Sequence, residues 1–285
     1  MVYGEVECSQ ARIALSDTQG NGFPVLLLHG NSNARNVFFR QFQSPLAQRY
    51  RLIAIDLPGH GQSGNARDPQ AGYTMPGLAD TVAEVLDALA IEHLAVVGWS
   101  LGGHIGIELI ERDPRIAGLM IVGTPPISRG ILGVLRGFQP NTDLALTTRG
   151  RLRPRDVDRF FRMCFGARGP QDFRALIERT DWRMRRIMGR GIMAGLGVDQ
   201  KYVVEHNRAP LAVVNGQNEP FARLEYLAGL NYANLWDGRC HVIEKAVHAP
   251  FLEAPREFNA LLGRFLDDVA AWAAAGAAGG LRRHA

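Results

Sequence analysis

The chain has 285 residues, 46% hydrophobic and 21% charged, a balance that fits a globular protein with room for one large core and excludes a disordered or fibrous chain. No apolar run approaches the roughly 18 residues of a membrane span, and MVYGEVECSQARIALSD lacks the basic-then-apolar order of a secretory signal, so no membrane contact and a cytoplasmic location are expected. The net charge is only +4, and the three cysteines, Cys8, Cys164 and Cys240, have no CxxC spacing, which argues against a disulfide framework or zinc site and for free thiols.

In chain order, ECSQARIALSD (7–17) reads as strand and turn. FPVLLLH (23–29) is a continuous apolar run, as expected of a strand buried on both faces. NVFFRQFQSPLAQRY (36–50) has helical spacing interrupted by Pro45, RLIAID (51–56) is a strand, and MPGLADTVAEVLDALAI (75–91) is an amphipathic helix with proline near its start. The strand HLAVV (93–97), the helix LGGHIGIELIERD (101–113) and the strand IAGLMIVG (116–123) follow. After a break, the alternation resumes with the strand APLAVVNG (209–216), a helix near 221–230, a strand NLWDG (234–238) and a last helix at 256–275.

This alternation predicts an α/β fold: a mostly parallel central sheet with helices on both faces. The core is expected from 1–125 and 209–275, with a helical lid from 126–208 inserted at the carboxyl ends of the strands, where such sheets bind ligands. Residues 276–285 are low in complexity and read as a flexible tail. Between 126 and 200 there are 15 arginines against 7 acidic residues. They alternate with apolar residues as on amphipathic helices, so a solvated face is expected and no nucleic-acid partner.

Gly98-Trp99-Ser100-Leu101-Gly102 fits G-x-S-x-G between a strand and a helix. A turn that sharp needs glycines around the serine and lifts its hydroxyl clear of the sheet, while the helix N-terminus favours negative charge beside it. Ser100 is therefore expected to be a nucleophile, and it needs a base and an acid that orients the base. In this strand-turn-helix setting the order is serine, acid, histidine. His248, in the loop AVHAPFLEAP before the last helix, is the expected base, ahead of His206, His241 and His284. Glu219 in VVNGQNEPF is the expected acid, ahead of Asp237; Asn218 cannot supply the charge.

The two N–H donors of an oxyanion hole are expected from Leu101 and from Asn31 in HGNSN, whose side-chain amide could also touch the substrate oxygen. His60 and Asp56 in DLPGHGQSG read as structural.

Together, HGNS, DLPGHGQS, the elbow GWSLGG, NGQNEPF and HAPFLEAP resemble the α/β-hydrolases over about residues 7–270. GWSLGGHIGIELI, GLMIVGTPP, RRIM, NLWDG and HVIEKAVHAPF resemble the metal-independent N-acyl-homoserine lactonases in particular. That resemblance implies a Ser100–Glu219–His248 triad, an oxyanion asparagine at Asn31, no cofactor and no metal, with Trp99 and Phe160 as substrate-binding positions. Phe160 and Phe161 fall where an aromatic, sometimes hydroxyl-bearing, wall would stand, with core packing of the two as the alternative. The implied activity is lactone hydrolysis through an acyl-enzyme on a small-molecule acyl lactone or ester, by a monomer or homodimer. A general carboxylesterase, a carbon–carbon bond hydrolase and a ligand-binding receptor with a slowed triad remain alternatives.

Overall fold

A computed structural model describes residues 1–167 and 169–281, with side chains as far as 275. One sheet contains β1 (Val2–Glu7), β2 (Arg12–Asp17), β3 (Pro24–Leu28), β4 (Arg51–Ile55), β5 (Leu94–Trp99), β6 (Ile116–Val122), β7 (Leu211–Gly216) and β8 (His241–Ile243). Their order is β1-β2-β4-β3-β5-β6-β7-β8; β1 and β2 are antiparallel to their neighbours, and all pairings from β4 to β8 are parallel.

The central strands are apolar throughout because both faces are covered. Leu26 and Leu28 of β3 and Leu94 and Val96 of β5 pack with Leu78 and Val82 of the helix Met75–Ala88 and with Ile105 of the helix Leu101–Arg112. The alternate residues Val25, Leu27, Ala95 and Val97 meet Phe258, Leu262 and Phe265 of the last helix, Pro255–Leu281. No described helix is long and apolar enough to cross a membrane.

Three expectations are corrected. Val2–Glu7 forms an edge strand paired with β2 from Val2↔Asp17 to Glu7↔Arg12, a strand the apolar pattern hid because most of its side chains are exposed. The expected helix 36–50 is a 3-10 turn (Arg35–Phe38) and two short helices, Phe39–Phe42 and Leu46–Arg49, split before Pro45, whose ring and missing N–H cannot continue the first. NLWDG is not a strand: Leu235 makes one bridge to Leu211, then Asp237 turns left-handed (φ 59°) in the 3-10 turn Trp236–Gly238. The last strand is His241–Ile243, paired with β7.

The stretch 126–208 contains helices Ile131–Gly137, Pro154–Phe165, Phe173–Arg179, Trp182–Met193 and Gln200–His206 and the 3-10 turn Thr142–Thr147. Several of its arginines pair with nearby carboxylates: Arg149 and Arg153 with Asp156, Arg159 with Asp143, Arg174 with Asp158 and Arg183 with Asp181. The expected flexible tail, 276–285, is helical in backbone as far as Leu281, and 282–285, with His284, lie outside the described residues.

Two glycine substitutions separate close packing from backbone freedom. Gly102→Ala would drive a Cβ into the Leu28 carbonyl and is expected to cost about 3 kcal/mol or more. Gly191→Ala, inside the helix Trp182–Met193 with its nearest neighbour 3.5 Å away, is expected to stabilise by about 0.5–1 kcal/mol. Urea midpoints of the two variants check both signs.

Candidate active site

Ser100 sits between β5 and the helix Leu101–Arg112 with φ 53° and ψ −114°, a conformation that a residue with a Cβ adopts only when its surroundings force it. Its N–H donates to Val122 O at 2.7 Å, and its carbonyl accepts from Gly103 N, His104 N and Thr124 Oγ1 at 2.9, 3.2 and 2.9 Å. A Cβ at Gly98 would strike the Gly102 carbonyl, so the strand and helix close this tightly only with glycine there.

Glu219 follows β7, and His248 lies between β8 and the turn Pro250–Glu253. The chain brings them together: His248 Nδ1 is 2.9 and 2.8 Å from the two Glu219 carboxylate oxygens. Oε1 of Glu219 also accepts from Phe221 N (2.8 Å) and Ala222 N (3.3 Å). Both residues are buried, His248 to 1% exposure. A carboxylate can only accept, so Nδ1 carries the proton and Nε2 of the neutral ring is left as a base.

Three supports around this pair were not read from the sequence. Gly123, with φ +60°, ends β6 so close to the imidazole that a Cβ there would lie 2.5 Å from His248 Cε1. Glu253 accepts from Val247 N (3.0 Å) and Ala249 N (3.3 Å), gripping the loop on either side of His248, and burial raises its carboxyl. Trp99 Nε1 donates to the His248 carbonyl at 2.8 Å. Gly123 and Trp99 act across the fold, which no local pattern announces, and Glu253 acts within its own loop, four to six residues from its partners.

Ser100 and His248 share the wall of a cavity of about 870 Å³. Among the described residues their side chains are not hydrogen-bonded to each other; catalytic hydrogen bonds of this kind are often long before substrate binds. Asn31, Leu101, Trp99 and Phe160 also line this cavity. Phe161 instead packs on Phe165, with ring centroids 5.5 Å apart.

The N–H groups of Asn31 and Leu101 donate to no protein acceptor among the described residues. Gly30 brings the Asn31 loop against the turn: a Cβ on it would lie 3.2 Å from that of Ser100. The Asn31 side-chain amide, expected to reach toward substrate, donates instead to Thr147 O at 2.8 Å, and its oxygen accepts from Ser32 Oγ at 2.9 Å.

Ser32 in turn is held from two sides. Its N–H donates to His60 Nε2 (3.1 Å), and its hydroxyl accepts from Arg185 Nη1 (2.8 Å). Arg185 is 3% exposed, and its other donors go to the carbonyls of Arg149 (3.0 Å) and Gly150 (2.8 Å). Burial lowers its guanidinium to about 10. No local pattern marks this burial, since an arginine on an amphipathic helix reads as surface.

The rival positions fall elsewhere. His241 opens β8 against Trp236, its Nε2 3.5 Å from Asp237, and neither lines the cavity. His206 is exposed and stacks on Tyr202. Asn218 donates its N–H to Ala246 O. His60 and Asp56 are structural, as expected: Asp56 accepts from Arg35 and from Gln62 N.

Residues 24–255 match a family described as alpha/beta hydrolase fold. The pimeloyl-acyl-carrier-protein methyl ester esterase of Aeromonas hydrophila subsp. hydrophila is 30% identical, covering 87% of this chain and 96% of its own. That of Nitrosospira multiformis is 27% identical with the same coverage. Among solved structures, the N-acyl homoserine lactonase AidH in complex with N-butanoyl homoserine is 44% identical with a TM-score of 0.92, covering 94% of this chain and 97% of that one.

Glu219→Gln keeps the shape of the acid but removes its charge. It is expected to lower p-nitrophenyl ester turnover at least about 10²-fold, with Asp237→Asn near wild type. A pH prediction follows from His29 and His60, both buried with burial as the leading cause of their lowered values. The fold binds their protons less tightly than the unfolded chain, which protonates them below about pH 6.5. The unfolded state then binds more protons, so stability present above that pH is lost on acidification, each group contributing up to about 1.4 kcal/mol per pH unit. The urea midpoint should fall from pH 7.5 to 5.5.

Proposed function

The chain belongs to the α/β-hydrolase fold family and is a hydrolase of ester bonds; within that class we propose that it opens the lactone ring of N-acyl-homoserine lactones through an acyl-enzyme on Ser100. The observation that carries the reading is one largely apolar cavity holding Ser100 and His248 and walled by Leu144, Phe160 and Met188 of the stretch 126–208. That stretch would act as a lid whose side chains hold a fatty acyl tail. The 44% identity to a lactonase over nearly the whole chain supports the same choice.

In the proposed reaction, Ser100 Oγ attacks the lactone carbonyl carbon as His248 Nε2 takes the hydroxyl proton. Glu219 holds the ring in the required tautomer and stabilises the imidazolium. Negative charge develops on the carbonyl oxygen, opposite the free N–H groups of Asn31 and Leu101; losing one such donor typically costs about 10²–10³ in turnover. The tetrahedral adduct collapses by breaking the ring carbon–oxygen bond, and His248 returns the proton to the departing alkoxide. That alcohol stays tethered to the acyl group. Water, deprotonated by His248, then attacks the Ser100 ester; the bond to Ser100 Oγ breaks, His248 returns the proton to that oxygen, and the N-acyl-homoserine is released. Trp99 and Phe160 are assigned to the substrate wall.

A second reading, an esterase for methyl or other small acyl esters, is favoured by the 27–30% identity to the methyl ester esterases. It uses the same triad but loses its alcohol from the site. Purified protein with EDTA, incubated with short- and long-chain N-acyl-homoserine lactones beside Ser100→Ala, separates the two. EDTA-resistant ring opening, followed by mass spectrometry and lost in the variant, is the expected result. Cleavage of a p-nitrophenyl ester without lactone opening would overturn the lactone reading and leave the esterase.

A further inference from the structure

One turn along the helix from Ser100, His104 lines the same cavity, yet no step above uses it. A helical side chain leans toward the helix N-terminus and covers the preceding turn, and residues four apart lie about 5–6 Å from each other at Cβ. Ser100, which caps this helix, and His104 in its first turns thus meet the same cavity.

The ring is fixed and neutral. Nδ1 is 2.7 Å from Gln200 Oε1, and Gln200 is anchored through its N–H to Ile127 O at 3.1 Å. An amide oxygen only accepts, so Nδ1 carries the hydrogen and Nε2 presents a lone pair. Burial lowers the imidazole to about 4, leaving it uncharged near neutral pH. His104 is 6% exposed, and among the described residues Nε2 has no protein donor. Phe138, 6.0 Å away between ring centroids, gives it an apolar neighbour. A fixed acceptor on a mostly buried ring in the wall of a largely apolar chamber calls for a donor on the occupant.

We propose that His104 Nε2 accepts a hydrogen bond from a secondary amide N–H on the carbon next to the reacting carbonyl, so that His104 selects α-acylamino lactones and esters over plain ones. This deepens the lactone reading and rests on it for the natural substrate. The nitrogen of such a substrate is two bonds from the carbon that Ser100 attacks, which places its N–H within reach of a side chain one helical turn away.

Two matched substrate pairs test it. N-hexanoyl homoserine lactone is compared with α-heptyl-γ-butyrolactone, which keeps the length but lacks the amide. The p-nitrophenyl ester of N-hexanoylglycine is compared with p-nitrophenyl nonanoate, a pair that reads His104 even where lactones are inert. Wild-type kcat/KM is expected to favour the amide member of each pair by about 10-fold or more. That ratio should collapse toward one in His104→Leu and survive in His104→Gln, which keeps an acceptor; thermal midpoints report whether each variant is folded. A wild-type ratio near one overturns the proposal without any variant, as does an equal loss on both members in folded His104→Leu. A split on the esters with inert lactones sinks the lactone reading and keeps His104. Lactone opening with no split does the reverse.

Discussion

The backbone at Ser100 is the constraint on which the rest depends. A serine at φ 53° and ψ −114° is held there by four hydrogen bonds to its own N–H and carbonyl and by contacts of Gly98 and Gly102 too close for any Cβ. The strain is local, and the rigid β5–helix junction that sustains it lies in the middle of the doubly covered sheet. What the strain yields is a half-buried serine presented to the cavity beside unpaired helix N–H groups, as the proposed attack with charge stabilisation would require.

The second organising feature is the link between the stretch 126–208 and the loop after β3. Asn31 is held through Thr147, and Ser32 through Arg185, so the loop that would present an oxyanion donor is fixed by groups more than 100 residues away. Arg185 is a buried cation whose partners are all neutral oxygens, an arrangement that costs stability unless geometry gains from it. Its gain here is a fixed loop position. In the proposed lactonase the stretch 126–208 would thus do more than enclose the acyl tail: it would also fix the loop that presents one oxyanion donor.

What could be read from the sequence divides along the same line. The sheet core, the elbow and the Glu219 and His248 loops were legible because each is a local pattern: apolar runs, glycines around a serine, an acid three residues past a strand-end glycine. The misplaced last strand shows the limit. NLWDG has apolar content, but Asp237-Gly238 takes left-handed angles, and pairing with β7 passes to His241–Ile243. The edge strand at Val2–Glu7 was hidden for the opposite reason, having little apolar content to mark it. Gly123, Arg185 and His104 each owe their place to a partner distant in sequence, while Glu253 grips a loop four to six residues before it, and nothing in their own neighbourhoods distinguishes them from ordinary residues.

The most direct test of the account is the chemical identity of the intermediate. A rapid acid quench of the protein with N-hexanoyl homoserine lactone, followed by intact-mass and peptide mass spectrometry, catches whatever is covalently bound. The account predicts an adduct with the full mass of the lactone on the peptide containing Ser100, since ring opening releases no fragment. Product accumulating with no adduct at Ser100, or an adduct short by the mass of an alcohol, would contradict it.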